Sequence, residues 1–185
     1  VSANTIEEVR LVIEPATPAS IAPFGIFVGA GSDVPIFAQW SGVTAYGTTP
    51  VDIGSGGELL HVVMAASAFP NRVRLLERHF KHTQTYLAAN AKPFVMVLGT
   101  GTIAGLPNLS NLRAFLFKDG TGIVMNAGTW HEFPVALQDD TRFHVVLREE
   151  SHVNEIDSPE YPMDARGPDL ERFDMSKRAE ITFGF

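Results

Sequence analysis

A chain of 185 residues without cysteine is long enough to bury a substantial core unaided, and it excludes disulfide frameworks, zinc–thiolate centres, iron–sulfur clusters and cysteine nucleophiles. A formal charge of −7 with a pI near 5.3 argues against nonspecific nucleic-acid binding, which needs clustered positive charge to neutralise phosphates. No apolar run approaches the roughly 20 residues that cross a bilayer. The opening Val1-Ser-Ala-Asn-Thr-Ile-Glu-Glu8 also lacks a basic-then-apolar leader, so a cytoplasmic protein without a membrane partner is expected.

Gly and Pro recur at short intervals, and the stretches between them are mostly too short for long helices. In chain order, the first predicted element is a helix over Pro18–Phe24 at most, a turn or two. Gly29–Gly57, rich in Gly, Ser, Thr and Pro, predicts loops or an edge hairpin. Strands are predicted over Leu59–Met64, Arg72–His79, Thr83–Leu87, Phe94–Leu98, Leu112–Phe117, Gly122–Met125 and Phe143–Arg148, each rich in β-branched, aromatic or aliphatic residues. Gly99-Thr-Gly-Thr-Ile-Ala-Gly105 lacks the Lys-Ser/Thr and the helix of a phosphate loop and reads as a β-turn. A weaker helical turn falls near Asn108–Asn111. The spacing predicts a mainly β barrel or sandwich over residues 1–150. Beyond Ser151 the composition shifts to Asp, Glu, Pro and Arg, predicting a C-terminal tail over 151–185 with few core positions, packed on the barrel or on a partner subunit. Its ending, Ile181–Phe185, is apolar enough to dock as a strand on either.

Chemistry concentrates in two segments. If Arg72–His79 is one strand, Val73, Leu75, Glu77 and His79 share one face, and Arg72, Arg74 and Arg78 form a solvated face opposite. The face that begins apolar ends in a carboxylate and an imidazole, as a site at a barrel mouth requires. Gln84 follows on the next strand, and Gly128-Thr-Trp-His131 lies far downstream. The spacing parallels the two metal motifs of the cupin barrel, with Glu77 and Gln84 where many cupins have His and Glu, and Asn126 in place of a proline. Two side chains two apart on one strand, one from the next strand and one from a neighbouring hairpin can converge on one ion. Oxygen and imidazole donors suit Mn, Fe, Ni or Zn. Because the Gln84 oxygen is neutral, a metal-free polar site is also open, as is a purely structural Glu77–His79 pair.

Other polar residues divide between site and scaffold. His82 falls at a turn between the motifs. His144 alternates with Phe143 and Val145, and so faces away from their side. Arg113 shares a face with Phe115 and Phe117, as a stacked structural cation or a carboxylate clamp. Trp130 is a wall of the site or part of the core.

The chain resembles the ureidoglycolate lyase family, whose members are cupins. The resemblance is carried by Ala22-Pro-Phe-Gly25, Leu76-Glu-Arg-His79 with Thr83-Gln84, Pro93-Phe-Val-Met-Val97, Leu112-Arg-Ala-Phe115 and Gly128-Thr-Trp-His131, in family order over roughly residues 11–150. Met125 stands where an aromatic residue is common, and Pro134 comes three residues after His131 rather than two. The resemblance implies an antiparallel cupin barrel and a carbon–nitrogen lyase that splits ureidoglycolate into glyoxylate and urea. It further implies Glu77, His79 and His131 as catalytic groups, and Glu77, His79, Gln84 and His131 as ligands of a divalent ion. Arg113, Gln84, Trp130 and Arg148 would bind substrate, and the assembly would be a homodimer. An enzyme for another small hydroxy or keto acid would keep the polar cluster and change its walls. A noncatalytic ligand-binding cupin would keep only the barrel.

Overall fold

The computed structural model describes residues 7–29, 35–37, 41, 45–46, 49–54, 56–68, 71–149 and 163–185. Two large sheets face each other. One runs, from edge to edge, through Ala165–Arg166, Leu170–Asp174, Leu75–His79, Trp130–His131, Phe94–Gly99, Arg113–Phe117, Glu7–Pro15, Ala179–Gly184 and Arg72–Val73, with Val135–Ala136 also pairing Phe94–Gly99. The other orders Gly25–Val28, Gly122–Met125, Gln84–Ala88, Thr141–Arg148 and Gly57–Met64. All pairings are antiparallel except those of Glu7–Pro15, which is parallel to both neighbours. Between the sheets lie Phe24, Tyr86, Phe94, Met96, Phe115 and Phe143, the interior of a mainly β, cupin-like fold.

The period-2 pattern explains why both faces of the larger sheet are apolar. In Phe94–Gly99 every residue is buried: Phe94, Met96 and Leu98 face the second sheet, whereas Val95 and Val97 face a separate core with Leu76, Trp130, Phe173, Ile181 and Phe183. About a third of that second core comes from the C-terminal segment. Ala165, Leu170, Phe173, Met175, Ala179, Ile181 and Phe183 are buried, so the expectation of few core positions beyond Ser151 is overturned. Its charges misled because they alternate with these residues or pair with one another, as Arg178 does with Asp164 (2.6 Å). The Ile181–Phe185 ending docks on this subunit, with Glu7–Val12 in register with Ala179–Gly184.

The predicted Arg72–His79 strand is two strands. The amides of Arg74 and Leu75 donate to the Glu132 carboxylate (2.9 and 2.6 Å) instead of to a ladder, and the break shifts the alternation by one residue. Val73 therefore joins Leu76 in the second core and does not share a face with Glu77. The arginines are not simply solvated either: Arg78 ion-pairs with Glu171 (2.7 Å) and stacks on Trp130, and Arg72 pairs with Glu180 (2.5 Å).

The predicted helix is shorter than expected, Pro18–Ile21, opened by a capping box between Thr17 and Ser20 worth about 1 kcal/mol. Leu109–Asn111 is a single 3-10 turn. Thr102–Ile103 and Leu106–Pro107 form a hairpin across Ala104 and Gly105, both at positive φ, as the β-turn reading of this segment requires. Within Gly29–Gly57, Pro35–Phe37 pairs with Ala45–Tyr46, and much of the remainder lies outside the described residues. Glu7–Pro15 was not predicted: Val9, Leu11 and Ile13 turn inward, but only Ile13 is fully buried and the exposed Val12 blurs the apolar–polar alternation.

Candidate active site

One row of register partners assembles the centre. Arg172 pairs with Glu77, Glu77 with His131, His131 with Leu98, and Leu98 with Arg113. Residues opposite one another across a sheet point to the same face. Leu98 belongs to the inter-sheet core, so Glu77 and His131 point between the sheets, and His79, two residues along, joins them. The turn before His131 is fixed by three bonds. Gly128, at φ +84°, donates its N–H to the His79 carbonyl (2.6 Å), and Asn126 N–H and the Thr129 hydroxyl both donate to the Phe24 carbonyl (2.9 Å each). Gly25 cannot carry a side chain here, because a Cβ would fall 2.2 Å from the Val124 carbonyl oxygen.

Glu77 Oε1 lies 3.5 Å from His131 Nε2 and 4.0 Å from His79 Nε2, and Glu77 Oε2 lies 3.9 Å from Arg172 Nη1. His131 Nδ1 sits 3.0 Å from the Thr129 carbonyl oxygen, which can only accept, so Nδ1 carries a proton. In a neutral ring, Nε2 then turns a lone pair toward the carboxylate. That arrangement calls for a proton or a cation between them. Both His79 nitrogens and His131 Nε2 are buried with no hydrogen-bond partner among the described residues, and the donor atoms of Glu77, His79 and His131 lie within 4.8 Å of one another. The set therefore fits a divalent ion as well as a proton.

Electrostatics follow from this packing. Burial works to raise the Glu77 carboxyl, but the close approach of His131, together with the charges of His79 and Arg172, outweighs it and holds the group below the usual carboxylate range. Burial, then the charge of His131, pushes His79 down to about 4 against the opposing pull of Glu77. His82 is lowered chiefly by burial. Tyr86 was not singled out from sequence. Its ring centroid is 6.3 Å from that of His131, its hydroxyl is buried without a partner among the described residues, and burial with Glu77 and Glu132 raises it well above the usual phenol value.

The remaining predicted residues separate. Gln84, buried, shares a strand face with Tyr86, and its Oε1 has no hydrogen-bond partner among the described residues. Arg148 is close enough for its charge to act on His82. Arg113 points to the site's face, but its guanidinium is bound to Glu14 and stacks on Phe115 (5.0 Å). Trp130 is a correction. Adjacent to His131 in the same strand, it must face the other way, and it packs in the second core against Phe173 and Arg78 with its indole N–H on the Gly101 carbonyl (3.0 Å). It is no wall of the site. His144 lies on the outer face against His61, as alternation predicted. Met125 is buried in the inter-sheet core.

Sequence reasoning missed Asp169 and Arg172 as well as Tyr86. Asp169 is wholly buried: Oδ2 lies 2.5 Å from His82 Nδ1, and Oδ1 accepts from the amides of Phe80 and Lys81 (3.0 and 2.6 Å). The His79 and His82 rings are 4.6 Å apart, and His79, His82 and Asp169 form a second group able to hold an ion. Both missed residues flank Leu170, inside the segment whose charges suggested a surface tail.

A cupin-like barrel with a buried carboxylate–imidazole centre defines the class. Residues 8–165 match the family model for ureidoglycolate lyase, and the chain belongs to that family. It is 30% identical to a ureidoglycolate lyase of Azotobacter vinelandii over 142 residues, covering 75% of this chain and 84% of the relative. A Burkholderia mallei ureidoglycolate lyase is 30% identical over 157 residues (81% and 90%), and one from Pseudomonas aeruginosa is 29% identical over 148 residues (78% and 86%).

Proposed function

We propose that this protein is a lyase that splits ureidoglycolate into glyoxylate and urea. The observation that carries the reading is the buried Glu77–His79–His131 cluster inside a family member. In this reaction the hydroxyl of the hemiaminal carbon loses its proton, a carbonyl forms, and the carbon–nitrogen bond breaks with its electron pair going to nitrogen, which takes up a proton. Glu77, held ionised, suits removal of the hydroxyl proton, which then passes to the lone pair of His131 Nε2 facing it and from there to the departing nitrogen. His79 packs beside both and helps exclude water. Glu77, His79 and His131, with Gln84 as a neutral fourth donor, would hold Mn, Fe, Ni or Zn. Such an ion would polarise the substrate's hydroxyl and carboxylate oxygens.

The substrate carboxylate needs a cation. Arg172, facing Glu77, and Arg148, near His82, are better placed than Arg113, which would have to release Glu14. We further read the protein as a cytoplasmic homodimer. No helix among the described residues is long and apolar enough to cross a membrane, and Leu59 and Val63 leave an exposed apolar edge strand suited to a second copy. The direct test is to incubate purified protein with ureidoglycolate and measure glyoxylate and urea together. Equimolar release supports the reading. Turnover only of other small hydroxy or keto acids would move the substrate, and no turnover on such a panel would favour a ligand-binding role.

A further inference from the structure

The family match stops at residue 165, yet the bend and strand just beyond it supply two groups to the centre, Asp169 and Arg172. Asp169 acts on His82. A carboxylate at 2.5 Å from Nδ1 requires a proton on that nitrogen, which leaves Nε2 of the neutral ring as a lone-pair acceptor. Nε2 is buried, has no hydrogen-bond partner among the described residues, and belongs to a ring tilted by 48° against His79, 4.6 Å away. Burying an acceptor without a partner is costly, so a position of this kind marks a place where a ligand donor completes the bond. Asp169 is itself fixed by the amides of Phe80 and Lys81, so the aspartate, the turn and the imidazole move as one unit.

We propose that His82 Nε2 accepts a hydrogen bond from an N–H of the substrate's ureido group, with Asp169 as the positioning residue that sets the His82 tautomer. The ureido assignment rests on the function proposed above; the tautomer does not. The segment beyond the family match is thus part of the binding site. Glu77 and His131 handle the reacting carbon, and His82 orients the leaving urea.

Two substitutions separate this role from scaffolding. Asp169→Asn keeps an oxygen for the Phe80 and Lys81 amides but presents an NH2 to His82 Nδ1, and an amide in that place favours the inverted tautomer, with the proton on Nε2. His82→Asn keeps a donor for Asp169 and removes the Nε2 acceptor. Histidine side-chain 15N correlation spectra of the full chain, with His82 assigned by its loss in His82→Asn, should show Nδ1–H in the wild type and Nε2–H in Asp169→Asn. On ureidoglycolate, each variant should lose about tenfold in kcat/KM, the double variant should lose no more than either alone, and melting curves should remain cooperative. A wild-type Nε2–H tautomer would overturn the proposal. So would a folded His82→Asn variant with wild-type kcat/KM. The spectra need no substrate, so a wild type that shows the Nδ1–H tautomer but does not cleave ureidoglycolate would count against the ureido ligand and the proposed function while upholding the Asp169–His82 unit.

Discussion

His131 Nε2 and Glu77 Oε1 approach to 3.5 Å from adjacent strands in direct register, with the other His131 nitrogen fixed on the Thr129 carbonyl. Replacing His131 by Ala should remove the group that returns a proton to nitrogen, lowering kcat by about 10²–10⁴-fold. Steady-state kinetics on ureidoglycolate check this. A folded variant with unchanged kcat would show that the proton is moved by another group.

Metal binding is the second expectation. The open Nε2 atoms of His79 and His131 and the Glu77 carboxylate should bind a divalent ion, and calorimetry with Mn, Fe, Ni and Zn salts should give a stoichiometry near one per chain. His79→Ala should weaken binding by at least the ~10–100-fold that loss of an outer partner of a ligand typically costs. If the wild type takes up none of these ions, the acid–base version alone survives.

His79 also predicts a pH dependence of stability in the metal-free protein. Its value in the fold is about 4, below the 6.5 of an unfolded histidine, so between these values the unfolded chain binds more protons. Stability is then full above pH 6.5 and declines as pH falls toward 4, by on the order of 3 kcal/mol from this group alone. Denaturant unfolding at a series of pH values should show a shallower decline in His79→Gln. Parallel curves for the two proteins would refute the assignment.

Trp130 separates packing from chemistry. Truncation to Ala removes a fully buried indole from the second core and should cost about 3–5 kcal/mol, whereas KM of the folded fraction should hardly move. Denaturant midpoints and kinetics distinguish this from a wall of the site, for which KM would rise sharply.

The two arginines provide an internal contrast. Arg172→Gln should raise KM by roughly 10–100-fold if it holds the substrate carboxylate, the range of a hydrogen bond to a charged group. Arg113→Ala, which breaks a half-exposed pair with Glu14, should change KM by less than about twofold. The reverse order would return the clamp to Arg113.

Much of the centre was readable in advance because period-2 alternation is a local property: Glu77 and His79 lie on one unbroken strand, and their face follows from spacing alone. The same rule, applied to Trp130 and His131 as neighbours, separates them, so the tryptophan could have been placed correctly without coordinates. The break at Arg74 could not, since it depends on Glu132 arriving from 57 residues away to take the Leu75 amide. Asp169 and Arg172 were hidden for a related reason. A charged residue reads as solvated until a partner is known, and theirs, His82 and Glu77, lie in a turn and a strand distant in sequence.

The parallel pairing of Glu7–Val12 with Ala179–Gly184 has a consequence for assembly. It closes a loop of about 170 residues, and contacts this remote in sequence are slow to form because closure entropy must be met before they stabilise anything. Asp169 and the following strand with Arg172 lie just inside that closure. During synthesis, Glu77, His79 and His131 can meet before the C-terminal strands emerge, whereas His82 Nδ1 lacks Asp169 and the Glu77 carboxylate lacks Arg172 until they do. Competence for binding should therefore appear late in folding, together with docking of the Ala179–Gly184 strand.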